Sequence, residues 1–164
     1  MPRNSPQPKT TQREKTLQKT TSKTNKREET RMKPKYPHMR QWETQIMDRY
    51  HENPKIQAKW SYDVHLSIRM PKEAHRMTPR EAQIYMQSIA KRIDAVAETT
   101  DTIYVIEVKD RLRPSAIGQA LTYKTLYKEQ YPTTKNVQPV ILTTYTDLDM
   151  LHVAEVYHIQ VWVV

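Results

Sequence analysis

The sequence predicts an α/β domain, a central sheet with helices on its faces, preceded by a basic arm without a fold of its own. Three observations predict it. Runs with strand periodicity alternate with longer runs of helical periodicity. Two of the strands are separated only by the polar turn Glu98-Thr99-Thr100-Asp101. Residues 1–35 carry 11 basic side chains against 3 acidic ones, a net charge of +8, with Leu17 and Met32 as their aliphatic residues after Met1. Such a segment has too little apolar surface to offset the entropy of ordering it and is expected to be a disordered arm. Residues 36–164 hold the remaining 16 basic and 15 acidic side chains of a 164-residue chain, so the domain is almost neutral while the chain as a whole stands at +9. That length allows one domain of ordinary size.

The elements follow in order. Between His38 and Glu52, the residues Met39, Trp42, Ile46, Met47 and Tyr50 recur at spacings of three and four, which predicts a helix stopped by Asn53-Pro54. From Lys59 to Ile68 the chain alternates, with Trp60, Tyr62, Val64, Leu66 and Ile68 on one side of a first strand. Thr78-Pro79-Arg80-Glu81 is a capping box with proline at the first helical position and opens an inserted helix to about Ala90. Arg92 to Ala97 and Ile103 to Lys109 form the next two strands, joined as a hairpin. Arg113-Pro114-Ser115 starts a helix that runs to about Gln130 and ends at Tyr131-Pro132. Val137 to Tyr145 is a further strand, Asp147 to Glu155 a short helix, and Tyr157 to Val164 a final strand ending in Val161-Trp162-Val163-Val164. No internal repeat interrupts this order.

Composition narrows the chemistry. Without cysteine the chain has neither disulfides nor thiolate ligands, so a metal would be held by carboxylates, carbonyls or imidazoles. His38, His65, His152 and His158 show no ligand spacing and receive no metal. The positive charge suggests an acidic partner, of which nucleic acid is the commonest. No apolar run approaches the ~20 residues that span a bilayer, and the basic N-terminus has no apolar core behind it, so a soluble, intracellular protein is expected.

The acids of the hairpin are the informative ones. Asp94 and Glu107 each interrupt an apolar strand, and the 12 residues between them are enough for one hairpin to set them side by side. Facing side chains on adjacent antiparallel strands lie ~5 Å apart, which suits two carboxylates sharing a divalent ion at ligand distances near ~2.1 Å. Strand positions two apart point the same way, so Lys109 shares a face with Glu107.

On these residues the chain resembles the PD-(D/E)XK nuclease superfamily, whose core is helix, three strands, helix, strand. Asp94 matches its first acid, and Glu107-Val108-Lys109 matches its (D/E)-x-K. Gln119-Ala120-Leu121-Thr122-Tyr123 looks like the Gln-xxx-Tyr motif of the lambda-exonuclease and RecB-type branch, and Glu43 matches an acid many members carry in the first helix. The residue before Asp94 is Ile93 rather than proline, and the stretch 69–90 is longer than the minimal core. Similar sequences look typical of phage-encoded proteins. The resemblance implies a restriction-endonuclease-like mixed central sheet flanked by helices over residues 36–164 and a Mg²⁺-dependent (or Mn²⁺-dependent) DNA nuclease. Asp94, Glu107 and the Val108 carbonyl would hold the metal, and Lys109 would position or deprotonate the attacking water. Gln119 and Tyr123 would hydrogen-bond the DNA backbone or a metal-bound water, and Glu43 would orient such a water.

Arg111 and Arg113, just past the third strand, are candidate phosphate ligands, as are Lys9, Arg13, Lys15, Lys19, Lys23, Lys26 and Arg27 in the arm. The alternative is a catalytically silent nuclease-fold protein of a phage particle or mobile element, with virion or other phage proteins as partners and the virion or host cytoplasm as its place.

If about six basic groups of the arm contact duplex phosphate, deleting residues 1–35 should reduce the slope of log affinity against log salt by roughly 5, at ~0.9 counterions released per contact. Binding isotherms at several salt concentrations read this out, and identical slopes would remove the arm from nucleic-acid binding.

Overall fold

Three of the four α-helices among the described residues begin at a start signal in the sequence, Thr78-Pro79, Pro114 or Asp147. A computed structural model describes residues 36–67 and 69–164. The arm, with its candidate phosphate ligands Lys9, Arg13, Lys15, Lys19, Lys23, Lys26 and Arg27, lies outside the described residues, as does Ile68. Helix α1 is Gln41–Glu52, and its Glu43 carboxylate accepts the Arg40 backbone N–H at 2.6 Å. Helix α2, Pro79–Ile89, is opened by the expected Thr78–Glu81 box, with Thr78 N–H donating to Glu81 at 2.7 Å. Helix α3, Pro114–Gln130, and helix α4, Leu148–Val156, complete the set, the latter capped by Asp147, which accepts the Met150 N–H at 2.9 Å.

The strands are β1 (Lys59–Leu66), β2 (Lys91–Glu98), β3 (Thr102–Arg111), β4 (Asn136–Tyr145) and β5 (Gln160–Val163). They lie side by side in chain order; β1, β2 and β3 pair antiparallel, while β3–β4 and β4–β5 are parallel. The result is the expected α/β fold with a mixed central sheet flanked by helices. The two antiparallel steps need only short connections, and the two parallel steps are bridged by α3 and α4, as parallel pairing demands. The turn between β2 and β3 manages without glycine because the Thr99 hydroxyl accepts the Thr102 N–H at 3.1 Å and the Thr99 N–H reaches the Thr102 carbonyl at 2.9 Å.

Two boundaries differ from the sequence reading. The first helix starts at Gln41 rather than His38, where Arg40 takes the extended conformation of a cap. The final strand starts at Gln160 rather than Tyr157, because α4 continues to Val156 and His158 turns the chain in the left-handed region at φ 53°.

Alternation along β3 sorts the core into two faces. On one, Ile46, Met47 and Tyr50 of α1 pack on Ala95, Ala97, Ile106, Val108, Val140 and Leu142, and the Tyr50 ring stacks on Trp162 at 5.1 Å between centroids. On the other, Tyr123 of α3 meets Ile93, Val96, Ile103 and Val105, while Ala116, Ile117 and Ala120 meet Ile141 and Ala154. Helix α2 contributes nothing to either, since none of its residues is buried.

Burial therefore predicts opposite costs in two helices. Met47→Ala, at a side chain with 0% exposure, should lose about 2–5 kcal/mol in urea unfolding. Ile84→Ala on α2, exposed at 57%, should change stability by less than about 0.5 kcal/mol.

Candidate active site

The β2–β3 hairpin holds the site at the point where its two strands part. Their pairing runs from Glu98 opposite Ile103 to Ala95 opposite Ile106 and stops there. The next pair in that register is Asp94 and Glu107. Instead of continuing the ladder, the Asp94 carboxylate takes over as acceptor for the Val108 N–H, at 2.8 Å. A strand residue turns its N–H and C=O to the same neighbour, so the Val108 carbonyl faces the same gap.

Glu107 is buried, at 3% exposure, and Lys109, two residues on and half-buried, forms an ion pair with it through Glu107 Oε1. Its other oxygen, Oε2, is buried and in the ionised carboxylate has no hydrogen-bond donor among the described residues, whereas the protonated Glu107 hydrogen-bonds Asp94. Burial pushes the Glu107 carboxyl up to about 8, with the charge of Asp94 adding to the shift and Lys109 opposing it. Asp94 is pushed up to about 6, again chiefly by burial, against the pull of the Val108 N–H and Lys109. Burial works against the charge on Lys109, but Glu107, Asp94 and Glu43 outweigh it and hold the ammonium above its ordinary value.

The remaining sequence candidates divide into those the fold gathers here and those it sets at the margin. Glu43 is buried in the first turn of α1, near enough for its charge to act on Asp94, Glu107 and Lys109. Tyr123 is buried on the face that carries Glu107; burial raises its hydroxyl, and the Glu107 charge raises it further. Gln119, one turn earlier, donates to the Tyr123 hydroxyl at 3.4 Å, the outer limit of a hydrogen bond. Arg111, the last residue of β3, and Arg113, just past it, are exposed. Arg111 lies over the Tyr145 ring at 4.1 Å, and Arg113 stands 3.9 Å from the Asp110 carboxylate, so neither enters the pocket.

The fold also makes one grouping that the sequence reading did not expect. His38 and His65, passed over for lack of ligand spacing, meet at Asp63: both Nε2 atoms approach the same carboxylate oxygen, at 3.1 and 3.2 Å. His65 and Asp63 share β1, a spacing of two on one strand that the sequence does display. His38 arrives from the turn before α1, which no local pattern predicts.

Among solved structures, the chain is similar to a repair endonuclease from Pyrococcus abyssi, with 17% identity and a TM-score of 0.51 over 77% of this chain and 48% of that one. It is also similar to a protein of unknown function, with 15% identity and a TM-score of 0.43 over 73% of this chain and 56% of the other. The chain thus spans about half the length of these structures. No protein-family model and no curated protein matches the sequence. The first of these likenesses shows a fold shared with an endonuclease.

The raised carboxyls set a pH dependence whose sign is fixed. Folding lifts Glu107 from 4.5 to about 8, so the native state binds more protons than the unfolded one between those values. Stability is then fullest below about pH 4.5 and is lost as pH rises through about 8. In metal-free buffer the melting temperature should fall across that window, and Glu107→Gln should flatten the fall.

Proposed function

We propose that residues 36–164 form a metal-dependent deoxyribonuclease domain of the PD-(D/E)XK type, in its Gln-xxx-Tyr branch, held on DNA by the basic arm. The observation that carries this reading is the half-buried Asp94 set against the buried Glu107 at the parting of β2 and β3, with no donor to the ionised Glu107 Oε2 among the described residues beside Lys109. An orphaned buried carboxylate oxygen costs free energy that a bound cation returns. The fold shared with a repair endonuclease supports the same class.

The donors fit a hard ion. Two carboxylates and the Val108 carbonyl offer the oxygen set that Mg²⁺ or Mn²⁺ takes, and these three groups would hold it. When bound, the ion supplies Lewis-acid chemistry toward the scissile phosphate. Lys109, kept charged by the surrounding acids, orients the attacking water through its ammonium and offsets the negative charge that grows on the phosphate oxygens. Tyr123, a phenol whose hydroxyl burial holds above its ordinary value, donates a hydrogen bond to the DNA backbone, with Gln119 bracing it. Glu43 orients water at the edge of the pocket by its charge. Arg111 and Arg113, exposed at the surface outside the pocket, are the candidates for flanking phosphates.

A second reading keeps the nuclease fold without turnover. The net charge of +1 over residues 36–164 favours it, because a free nuclease ordinarily presents a basic groove of its own.

Cleavage assays in Mg²⁺ and Mn²⁺ on linear, circular, single-stranded and branched DNA separate the two readings. The wild type should cleave, and Asp94→Asn, Glu107→Gln and Lys109→Ala should each abolish cleavage while keeping a native circular dichroism spectrum. Equal cleavage by these variants would reject the site, and a wild type that cuts nothing would select the second reading.

Binding has its own readout. Millimolar Mg²⁺ should raise the melting temperature of the wild type and not of Asp94→Asn, by linkage to the native state. The rise should be larger at pH 8 than at pH 6, since the ion competes with the proton that Glu107 holds up to about 8.

A further inference from the structure

The convergence of His38, Asp63 and His65 serves no purpose in the nuclease reading. The geometry points to a second cation site, separate from the Asp94–Glu107 pair, in which His38 Nε2, His65 Nε2 and Asp63 Oδ2 hold a divalent transition ion of the zinc type. The three atoms lie within 4.8 Å of one another. Ligands around one ion with bonds of ~2.0–2.1 Å stand ~3–4 Å apart, so small rotations of the two rings complete the set.

Three further features prepare these residues for the task. Arg92 approaches Asp63 at Oδ1, 3.5 Å away, which leaves Oδ2 to the two imidazoles. Asp63 itself sits in the left-handed region at φ 53°, which aspartate visits more readily than most non-glycine residues. It interrupts β1 between the pairs Tyr62 with Ala95 and Val64 with Ile93, where an ordinary strand residue would have paired with Asp94. Finally, the rings are open to solvent, at 55% and 65% side-chain exposure, while the carboxylate is 15% exposed, so an ion has a path in and an anchored acid to meet.

The donor set selects the metal. Two neutral imidazoles and one carboxylate suit Zn²⁺, Co²⁺ or Ni²⁺, whereas Mg²⁺ prefers oxygen alone. Three protein ligands leave a coordination position open. Asp63 and His38 line a small cleft together with Asp94. This inference stands whether or not the domain cleaves DNA.

Zn²⁺ titration by calorimetry in an Asp94→Asn/Glu107→Gln background tests it, since that background removes the other acidic pair. One equivalent should bind, Mg²⁺ should not, and His38→Gln or His65→Gln should each weaken binding by about tenfold or more, the loss of a ligand exceeding that of an outer partner. Both rings are exposed, so these variants keep the fold. Cobalt absorption in the wild type gives an independent reading: a ligand-field band lost in His65→Gln supports the site. No Zn²⁺ binding, or binding indifferent to both histidines, would leave a hydrogen-bonded cluster around Asp63 and overturn the proposal.

Discussion

The structure turns on two carboxylates that the sheet forces together, one buried and the other half-buried. Asp94 and Glu107 fall in register where β2 and β3 cease to pair, and the sheet tolerates them through the Val108 N–H on one and Lys109 on the other. These two contacts do not discharge the site, as the raised carboxyls record. Such a pair survives only on a scaffold that cannot relax away from it. Strand β3 is that scaffold, central in the sheet and covered by α1 on one face and α3 on the other. Free energy gained in packing is what holds the two acids together against their mutual repulsion.

Much of this was legible in the sequence because it depends on spacing. The 12 residues between Asp94 and Glu107 fix one hairpin, and a side-chain period of two puts Lys109 beside Glu107. Capping residues and prolines located the helices to within a few positions, as Thr78-Pro79 and Pro114 did. Tyr123 and Gln119 were legible for the same reason, being one helical turn apart on a helix whose start was marked.

The rest was hidden where geometry is not periodic. The final strand was set too early because nothing in Tyr157-His158-Ile159 announces a left-handed residue at His158. Likewise His38 and His65 look unrelated in the chain, and only the backbone at Asp63 and the turn ahead of α1 bring their rings to one oxygen. Glu43 could be placed on a helix, but its burial depends on how α1 settles on the sheet, a tertiary fact. Local rules supplied the elements; the docking of one element on another supplied the chemistry.

The stretch between β1 and β2, with its short 3₁₀ turn Lys72–Arg76 and helix α2, has no buried side chain among its described residues. The two strands it connects are locked to each other by their own ladder, from Lys59 opposite Glu98 to Leu66 opposite Lys91. Its sequence is therefore released from the demands of the core, and its ties to the rest of the fold are polar ones at the surface, from Ser67 to Gln130 and from Arg69 to Glu129 at the end of α3. Such a segment is where a lineage can lengthen, shorten or exchange the chain freely, and where an engineer can graft a reporter or a recognition module and leave the sheet undisturbed.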